Sequence, residues 1–244
     1  MAWNKTQIKQ HKQAAELLNK IINDVVVYIK NSQTITDVEI RKFIKNQYKK
    51  YHLKSDKQGS IVAFGIDTAK VHFYAESPRR LKPGDLIMID IWGKLAKTRA
   101  PFADITWMMY YGKNLSKQYS DAFKTVTEAR DKAIKYLQNK LVNKIVPTGK
   151  EIDAETRNYL TKRGHGDKFL HGTGHSLGFI SPHGRRTRIN RRGKQSLPLN
   201  VGYTIEPGIY FKNKFGIRSE IDFYINENYK LITTTICQKQ IIKI

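Results

Sequence analysis

The amino-acid sequence predicts an α+β fold built from two similar halves, and three observations support this prediction. Apolar residues recur at helical spacing in long segments, whereas shorter apolar runs bounded by turn residues indicate strands. The order of these elements in the second half repeats their order in the first. In each half, two predicted strands carry one acidic residue each, and the two acids stand 14 positions apart.

Length and composition predict how this fold is divided. A chain of 244 residues, of which 40% are hydrophobic, can bury one sizeable core. We therefore expect a single domain over residues 1–244, with no separate N-terminal domain. Its halves are predicted at about residues 1–146 and 147–244, because the Pro-Thr-Gly break between them is too short to link independent domains.

The sequence contains no recognisable membrane or targeting segment. No apolar run reaches the length of a membrane span, so no membrane partner is expected. The first twenty residues are polar and lack the apolar core of a secretory signal. Cys237 is the single cysteine and cannot form an internal disulfide, which favours the reducing cytoplasm as the location.

The net charge is strongly positive, at a formal value of +23. Such a charge is compatible with a nucleic-acid partner or an anionic surface. The excess is spread along the chain, however, and abundant Lys, Ile and Asn indicate a general compositional bias. The one dense block, residues 185–194, is better explained as a solvated loop or a loop that faces an acidic partner or substrate. Nucleic-acid binding is therefore the weaker hypothesis, and the oligomeric state stays open.

Four helices are predicted from apolar periodicity and capping residues. Residues 4–31 carry apolar side chains at helical spacing, and residues 117–142 form a second amphipathic pattern of similar length. Thr36 and Glu39 match a capping box that opens a shorter helix. Asp153 is predicted to cap the fourth helix.

Three apolar runs of the first half are predicted strands, namely residues 61–65, 86–92 and 103–111. Asp90 interrupts the second run and Asp104 lies near the start of the third. A lone acid in a buried strand is costly unless it is paired or bound to a metal. His72 lies in the loop after the first run, and residues 94–101 are expected to form a polar hairpin loop.

The second half repeats this order. Its predicted strands are residues 201–208, 216–223 and 230–235. Glu206 and Glu220 lie in the first two of these strands. Before them, residues 171–178 carry two histidines, His171 and His175, among three glycines, which indicates a turn that forms a site. Three further histidines lie among polar neighbours and are predicted at the surface, namely His11, His52 and His165.

Four carboxylates brought together from two facing halves would repel each other unless cations neutralise them. Hard divalent cations prefer oxygen ligands, and one imidazole shifts the preference toward transition metals. Five protein ligands are too many for one tetrahedral zinc ion but suit two metal ions about 3.5–4 Å apart. For any single acid an ordinary salt bridge is the simpler explanation. For four acids with a glycine-framed histidine, a metal site explains the pattern better.

Five motifs, taken together, resemble those of the pita-bread metallopeptidases, a family that includes Xaa-Pro aminopeptidases, prolidases and methionine aminopeptidases. The motifs are Gly-Asp-Leu-Ile-Met-Ile-Asp at 84–90, Asp-Ile-Thr at 104–106, His-Gly-Thr-Gly-His-Ser-Leu-Gly at 171–178, Thr-Ile-Glu-Pro-Gly-Ile-Tyr at 204–210 and Gly-Ile-Arg-Ser-Glu at 216–220. The resemblance covers roughly residues 34–235. It implies two pseudo-symmetric αβ halves whose curved antiparallel sheets enclose a dinuclear metal site.

The resemblance also implies roles for individual residues. The metal ligands it implies are Asp90, Asp104, His175, Glu206 and Glu220. Glu206 would take the proton from a metal-bridging water and pass it to the leaving amine. His72 and His183 resemble histidines that steady the tetrahedral intermediate. Residues expected to face the substrate are His171, Tyr210 and Arg218. Two divalent ions are implied, with manganese expected and cobalt, iron or zinc as alternatives.

The branch of the family is indicated by the histidine motif. Its pattern is typical of Xaa-Pro peptidases, whereas the chain length resembles a small methionine-type enzyme. Three segments around the expected pocket depart from the pattern that is usual in this family. The hairpin loop at residues 94–101 is longer, Trp107-Met108 stands where Arg-Thr is usual, and His183 lies one residue further along the chain than the corresponding histidine. The main hypothesis is a cytoplasmic metalloaminopeptidase acting on Xaa-Pro peptides. The alternatives are a methionine aminopeptidase acting on nascent chains and a non-catalytic binding module.

Overall fold

The computed structural model describes residues 2–57 and 59–244, and at Arg186, in the basic block, it describes the backbone but not the side chain. The helices are α1 (Lys5–Lys30), α2 (Asp37–Lys50), α3 (Lys117–Val142) and α4 (Gly149–Lys162). The predicted helices 4–31 and 117–142 are thereby confirmed. The capping box of Thr36 and Glu39 is also confirmed, since each side chain accepts the backbone N–H of the other residue.

The predicted cap of α4 is wrong. Thr148 caps this helix together with Glu151, and Asp153 lies inside it. The Asp153 carboxylate accepts hydrogen bonds from the Thr173 backbone N–H at 3.0 Å and from the Thr173 hydroxyl at 2.9 Å. A second capping box five residues earlier therefore starts the helix, which frees Asp153 to fasten α4 to the histidine motif.

The strands form two larger sheets and one small one. In chain order they are β1 (Leu53–Lys54), β2 (Ile61–Phe64), β3 (Leu86–Leu95), β4 (Ala103–Tyr110), β5 (Gly174–Leu177), β6 (His183–Ile189), β7 (Gly202–Ile205), β8 (Gly208–Phe211), β9 (Phe215–Arg218), β10 (Ile221–Ile225), β11 (Leu231–Thr233) and β12 (Ile242–Lys243). The first sheet has the order β1-β3-β4-β12, with β2 also paired to β3. The second has the order β11-β10-β7-β5-β6, and β8 pairs with β9. All these pairings are antiparallel except β4 with β12.

Several predicted loops are strands, and two predicted strands are interrupted. The histidine motif continues into β5, and the basic block begins within β6. A Cβ atom at Gly174 would lie 2.1 Å from the Thr204 carbonyl oxygen, so this glycine lets β5 approach β7 closely. The hairpin loop expected at residues 94–101 is shortened because β3 continues to Leu95. The strands predicted at 201–208 and 216–223 each break into two.

Alternation along β3 and β4 assigns one face of the first sheet to the helices and the other to the interior. Ile87, Ile89 and Ile91 pack with the buried faces of α1 and α2. Leu86, Met88 and Trp92 belong to a second apolar cluster, which includes residues of α3 and β9. Asp90 therefore points to the interior of the molecule, between the two halves. A third cluster packs α3 and α4 against the second sheet.

His11 is buried, so its predicted surface position is wrong. Its Nδ1–H donates to the Phe102 carbonyl oxygen at 2.9 Å, and the Thr234 hydroxyl donates to Nε2 at 2.7 Å. His11 lies three and four positions before Ala14 and Ala15, which are also buried. Its helical face, and not its polar sequence neighbours, therefore determines its burial. Within residues 2–57 and 59–244, no helix combines the length and apolar character of a membrane span.

Candidate metal centre

The two acids of the first half lie on the inward face of paired strands. Asp90 stands opposite Thr106, and Trp92 stands opposite Asp104. Asp90 and Asp104 are 8% and 4% exposed. Directly opposite residues of an antiparallel pair share one face, so both carboxylates project from the same side of the sheet.

The two acids of the second half lie where a pair of strands is interrupted. Ile205 pairs with Ile221 on one side of the break, and Gly208 pairs with Arg218 on the other. Glu206 and Glu220 are the residues next to β7 and β10 at this break. They were predicted within strands and lie between them. Pro207 has no N–H to donate, which ends the pairing at this level.

His175 is oriented by its own strand. Its Nδ1–H donates to the Ser176 carbonyl oxygen at 3.1 Å, so the lone pair of Nε2 faces the acids. Nε2 lies 3.3 Å from Glu206 Oε1 and 3.8 Å from Asp104 Oδ2. Burial lowers the pKa of His175 to about 4, so its imidazole is neutral and able to bind a metal near neutral pH.

The five side chains expected to bind metal line one cavity of about 370 Å³. Ligand atoms of Asp104, His175 and Glu220 lie within 4.8 Å of one another, which suits a common metal ion. Asp90 and Glu206 line the same cavity. The fold thus brings together two acids of each half and the histidine.

The electrostatics of the cavity favour a cation. Burial, followed by the neighbouring carboxylates, raises the pKa of Asp104 and of Glu220 well above the ordinary range. Burial also raises the pKa of Asp90 and of Glu206. Within the described part of the chain, one buried oxygen of Asp90 and one of Asp104 have no hydrogen-bond partner. A divalent cation would satisfy these oxygens and relieve the repulsion, so the residues fit a metal.

Arg218 joins acids of both halves. Its guanidinium pairs with the Asp90 carboxylate, and its Nε donates to the Thr106 hydroxyl at 3.0 Å. That hydroxyl in turn donates to Glu220 Oε2 at 2.7 Å. Arg218 is buried, and its contacts fix the directions of two acids at once.

The remaining predicted residues divide into two groups. His72 and His183 line the cavity and are exposed, as expected for groups that meet a substrate. His183 is exposed as a whole residue, but its ring is partly enclosed by the cavity, and this desolvation, followed by the neighbouring His175, lowers its pKa; the two ring centroids are 4.3 Å apart. His171 and Tyr210 are not among the described residues that line the cavity. His171 Nε2 and the Tyr210 hydroxyl are hydrogen-bonded at 2.8 Å, and this hydroxyl accepts a hydrogen bond from Arg218 Nη1 at 3.3 Å.

The sequence reasoning missed other residues at this site. The cavity is also lined by Ile61, Tyr74, Trp92 and Pro182. The alternation of β3 places Trp92 two positions after Asp90 and so could have identified it. The carboxylate of Asp222 accepts the Asp104 backbone N–H at 2.9 Å and so supports that acid. Asp222 lies two positions after Glu220 in the strand predicted at 216–223, so the same alternation could have identified it.

Comparisons with known proteins identify the family of this chain. The sequence model of metallopeptidase family M24 matches residues 9–227. A curated relative from Staphylococcus aureus, named an uncharacterized peptidase, is 29% identical over 228 residues, which are 93% of this chain and 61% of that protein. The chain thus spans about three fifths of the length of the curated relatives it matches.

Solved structures give the same result. An X-Pro aminopeptidase from Thermotoga maritima superposes with a TM-score of 0.85 at 29% identity, covering 100% of this chain and 64% of that one. A prolidase from Thermococcus sibiricus has a TM-score of 0.85 at 28% identity, covering 100% of this chain and 62% of that one. These matches confirm the α+β pita-bread fold and the resemblance to the Xaa-Pro branch.

Proposed function

Because the chain belongs to metallopeptidase family M24, we propose that it is an exopeptidase that depends on two divalent metal ions and removes the N-terminal residue from Xaa-Pro peptides. The observation that carries this proposal is the convergence of three buried acids, the partly buried Glu206 and one neutral histidine on one cavity. The names of the Thermotoga maritima and Thermococcus sibiricus structures support the Xaa-Pro specificity. A reducing cytoplasm is the proposed location, and peptides are the proposed partners.

The metal ions would be held by five side chains, namely Asp90, Asp104, His175, Glu206 and Glu220. Manganese is the proposed metal, with cobalt, iron or zinc as alternatives, because a site rich in oxygen with one imidazole accepts each of them. When bound, such ions lower the pKa of a shared water molecule and polarise the substrate carbonyl group.

The remaining steps of the proposed reaction would be carried out by side chains of this protein. Glu206 would accept the proton of the attacking water and pass it to the leaving amine, since burial raises its pKa above the ordinary value and makes it a stronger base. His72 and His183, at the exposed side of the cavity, would donate hydrogen bonds to the developing oxyanion. Arg218 would hold Asp90 in place, with Tyr210 and His171 bonded behind its guanidinium.

The proposal is tested with purified, metal-loaded protein and a small panel of peptides. Release of the N-terminal residue from Xaa-Pro peptides, and its loss in Glu206→Gln with an unchanged circular-dichroism spectrum, would support it. Preferential cleavage of Met-Ala-Ser would instead favour the methionine aminopeptidase alternative. A metal-loaded protein that cleaves none of these peptides, yet retains RNA in a salt-dependent manner, would favour a binding module.

A further inference from the structure

The connection between β5 and β6 brings His183 to the metal cavity. It consists of residues 178–182, which we call the β5–β6 loop, and it is flanked by the paired residues Leu177 and His183. Pro182 and His183 both line the cavity. The position of this loop therefore determines where the His183 ring stands relative to the expected metal ligands.

The β5–β6 loop is closed tightly on itself. The Gly178 N–H donates to the Pro182 carbonyl oxygen at 3.0 Å, and the His183 N–H donates to the Ser181 hydroxyl at 3.3 Å. A Cβ atom at Gly178 would lie 2.4 Å from the Ser181 carbonyl oxygen, so the two ends of the loop are in direct contact. A displacement of its first residues is therefore transmitted to His183.

Two hydrogen bonds from the first half of the chain hold the start of this loop. The Phe102 N–H donates to the Gly178 carbonyl oxygen at 2.9 Å, and the Lys94 ammonium donates to the Phe179 carbonyl oxygen. Ile180, at the tip, is 86% exposed, so packing of its side chain does little to support the loop. The contact made by Lys94 is the one of the two that a side-chain substitution can remove.

Lys94 lies on the strand face that supplies a metal ligand. Side chains two positions apart along a strand share one face, so Asp90, Trp92 and Lys94 all project toward the interior between the halves. Asp90 is an expected metal ligand, and Trp92 lines the cavity. One strand thus carries both an expected ligand and the donor that holds the β5–β6 loop, which sets the distance between the ligand and the loop.

The environment of the Lys94 ammonium indicates that this contact matters to its placement. The side chain is partly buried, and Nζ lies 5.4 Å from the centroid of the Phe102 ring. Burial, followed by Lys54 directly opposite on β1, lowers the pKa of Lys94. Partial burial of a charged group is costly without partners, and the Phe179 carbonyl and the Phe102 ring are the partners that Lys94 has here.

We propose that Lys94 is a positioning residue for His183, because its hydrogen bond to the Phe179 carbonyl fixes the β5–β6 loop so that the His183 ring faces the substrate. This inference rests on the proposed exopeptidase function, in which His183 donates a hydrogen bond to the developing oxyanion. Lys94 is not among the described residues that line the metal cavity. We therefore expect it to affect the rate of the reaction and not the affinity for metal.

The kinetic test measures kcat and KM of the manganese-loaded protein for an Xaa-Pro peptide such as Ala-Pro-Ala. Lys94→Met should lower kcat about tenfold and change KM less than about twofold, because the oxyanion contact is made in the transition state. His183→Ala should lower kcat about 100-fold, the usual effect of removing an oxyanion donor. Adding Lys94→Met to His183→Ala should cause no further loss, since the lysine acts through the histidine.

Two further variants separate the hydrogen bond from the charge and from the fold. Lys94→Arg keeps a positive donor and should retain most of kcat. Lys97→Met removes the same charge from an exposed position of the connection between β3 and β4, and it should leave kcat unchanged. Circular-dichroism spectra check that each variant is folded.

Hydrogen exchange provides a measurement that does not depend on activity. Lys94→Met should speed amide exchange in the peptide that spans residues 177–184, whereas Lys97→Met should not. Manganese affinity measured by calorimetry should be the same in Lys94→Met and in the unmodified protein.

The outcomes distinguish this inference from the function on which it rests. Unchanged kcat or unchanged loop exchange in Lys94→Met would overturn the positioning role while leaving the exopeptidase in place. A further tenfold loss in the His183→Ala background would show that Lys94 acts by another route and would also overturn it, as would a folded Lys94→Arg with kcat as low as that of Lys94→Met. Absence of cleavage by the unmodified protein would overturn the proposed function, and this inference with it.

Discussion

Arg218 and Asp90 form a buried ion pair between residues 128 positions apart, and this pair connects the two halves at the metal cavity. Asp90 belongs to the sheet of the first half, and Arg218 ends β9 in the second. The pair is extended by Thr106, which accepts from Arg218 and donates to Glu220. The geometry of two expected metal ligands therefore depends on one arginine.

Arg218→Met should destabilise the protein by about 3–5 kcal/mol, because it leaves the Asp90 carboxylate buried without its partner. Urea unfolding of the metal-free protein measures this change. Arg163→Met is a matched control, since it removes the exposed pair that Arg163 forms with Glu128 at 3.4 Å. The control substitution should lower the free energy of unfolding by less than about 1 kcal/mol. Equal effects of the two variants would contradict the importance of the buried pair.

Removal of metal should lower the melting temperature, and Asp104→Asn should reverse part of this effect. The pKa of Asp104 is higher in the folded protein than in the unfolded chain, so ionisation of Asp104 opposes folding. The contribution of Asp104 to the free energy of unfolding is therefore fully present at low pH and is lost as the pH rises above about 3.9, the pKa in the unfolded chain. Neutral Asn removes this cost in the metal-free protein. The same substitution removes a metal ligand, so added manganese should stabilise Asp104→Asn less than the unmodified protein.

The measurement is a pair of thermal melts at pH 7, one after dialysis against a chelator and one with manganese at about 100 times its Kd, where binding contributes about 2.7 kcal/mol. Asp121→Asn is the control, because Asp121 is an exposed residue of α3 that is paired with Lys117. A variant Asp104→Asn that is less stable than the unmodified protein without metal would contradict the predicted repulsion.

His11 should make stability depend on pH between about 6.5 and 4. Burial lowers the pKa of His11 from 6.5 to about 4. The carboxylate of Asp222 lies 4.0 Å from the His11 ring but does not prevent this shift, because burial raises the pKa of Asp222 well above its ordinary range. The unfolded chain therefore binds a proton that the folded chain does not, so stability is full above pH 6.5 and is lost as pH falls toward 4. The largest loss is about 3 kcal/mol.

Urea midpoints measured from pH 4.5 to 7.5 test this dependence. His11→Gln should cost stability at pH 7 and should lose less of it on acidification than the unmodified protein. His52→Gln changes an exposed histidine and should keep the original slope. Parallel pH curves for His11→Gln and the unmodified protein would show that another group causes the acid sensitivity.

Gly174→Ala should disturb the metal centre through the backbone of β5. Its new Cβ would lie 2.1 Å from the Thr204 carbonyl oxygen, and His175 is the next residue. Overpacking of this kind costs about 1–3 kcal/mol or more, and the shifted strand should weaken manganese binding measured by calorimetry. Gly93→Ala is the control, since its Cβ would meet Leu18 at 3.4 Å, an ordinary contact. Retained metal affinity in Gly174→Ala would contradict the close approach of β5 and β7.

Some of these features could be predicted from sequence because local patterns determine them. The capping box of Thr36 and Glu39 requires residues only three positions apart, and the periodicity of residues 117–142 extends over seven turns. Asp90 was recognised because an acid in a buried strand is costly. The site roles assigned from the family resemblance remain predictions, although the fold brings the five expected ligands to one cavity.

Other features depend on contacts that the sequence does not display. His175 lies on a strand because Gly174 packs against a carbonyl of β7, a contact between residues 30 positions apart. Asp153 lies inside its helix because Thr148 and Glu151 cap it earlier, and its carboxylate binds Thr173. The contacts of Arg218 depend on three partners from distant parts of the chain, Val71, Asp90 and Thr106, and on Tyr210 of the neighbouring strand.

The alternation of inward-facing and outward-facing side chains along β3 and β4 also helps the chain to avoid incorrect strand pairing. A slip of one residue in one strand would turn its inward face toward α1 and α2. Asp90 or Asp104 would then face a cluster of isoleucines and leucines, where burial of a carboxylate is costly, and isoleucines would enter the polar cavity. The acids expected to serve catalysis thus also penalise misregistered pairing, so a variant with Asp90→Leu and Asp104→Leu would lose a safeguard of its folding as well as its metal.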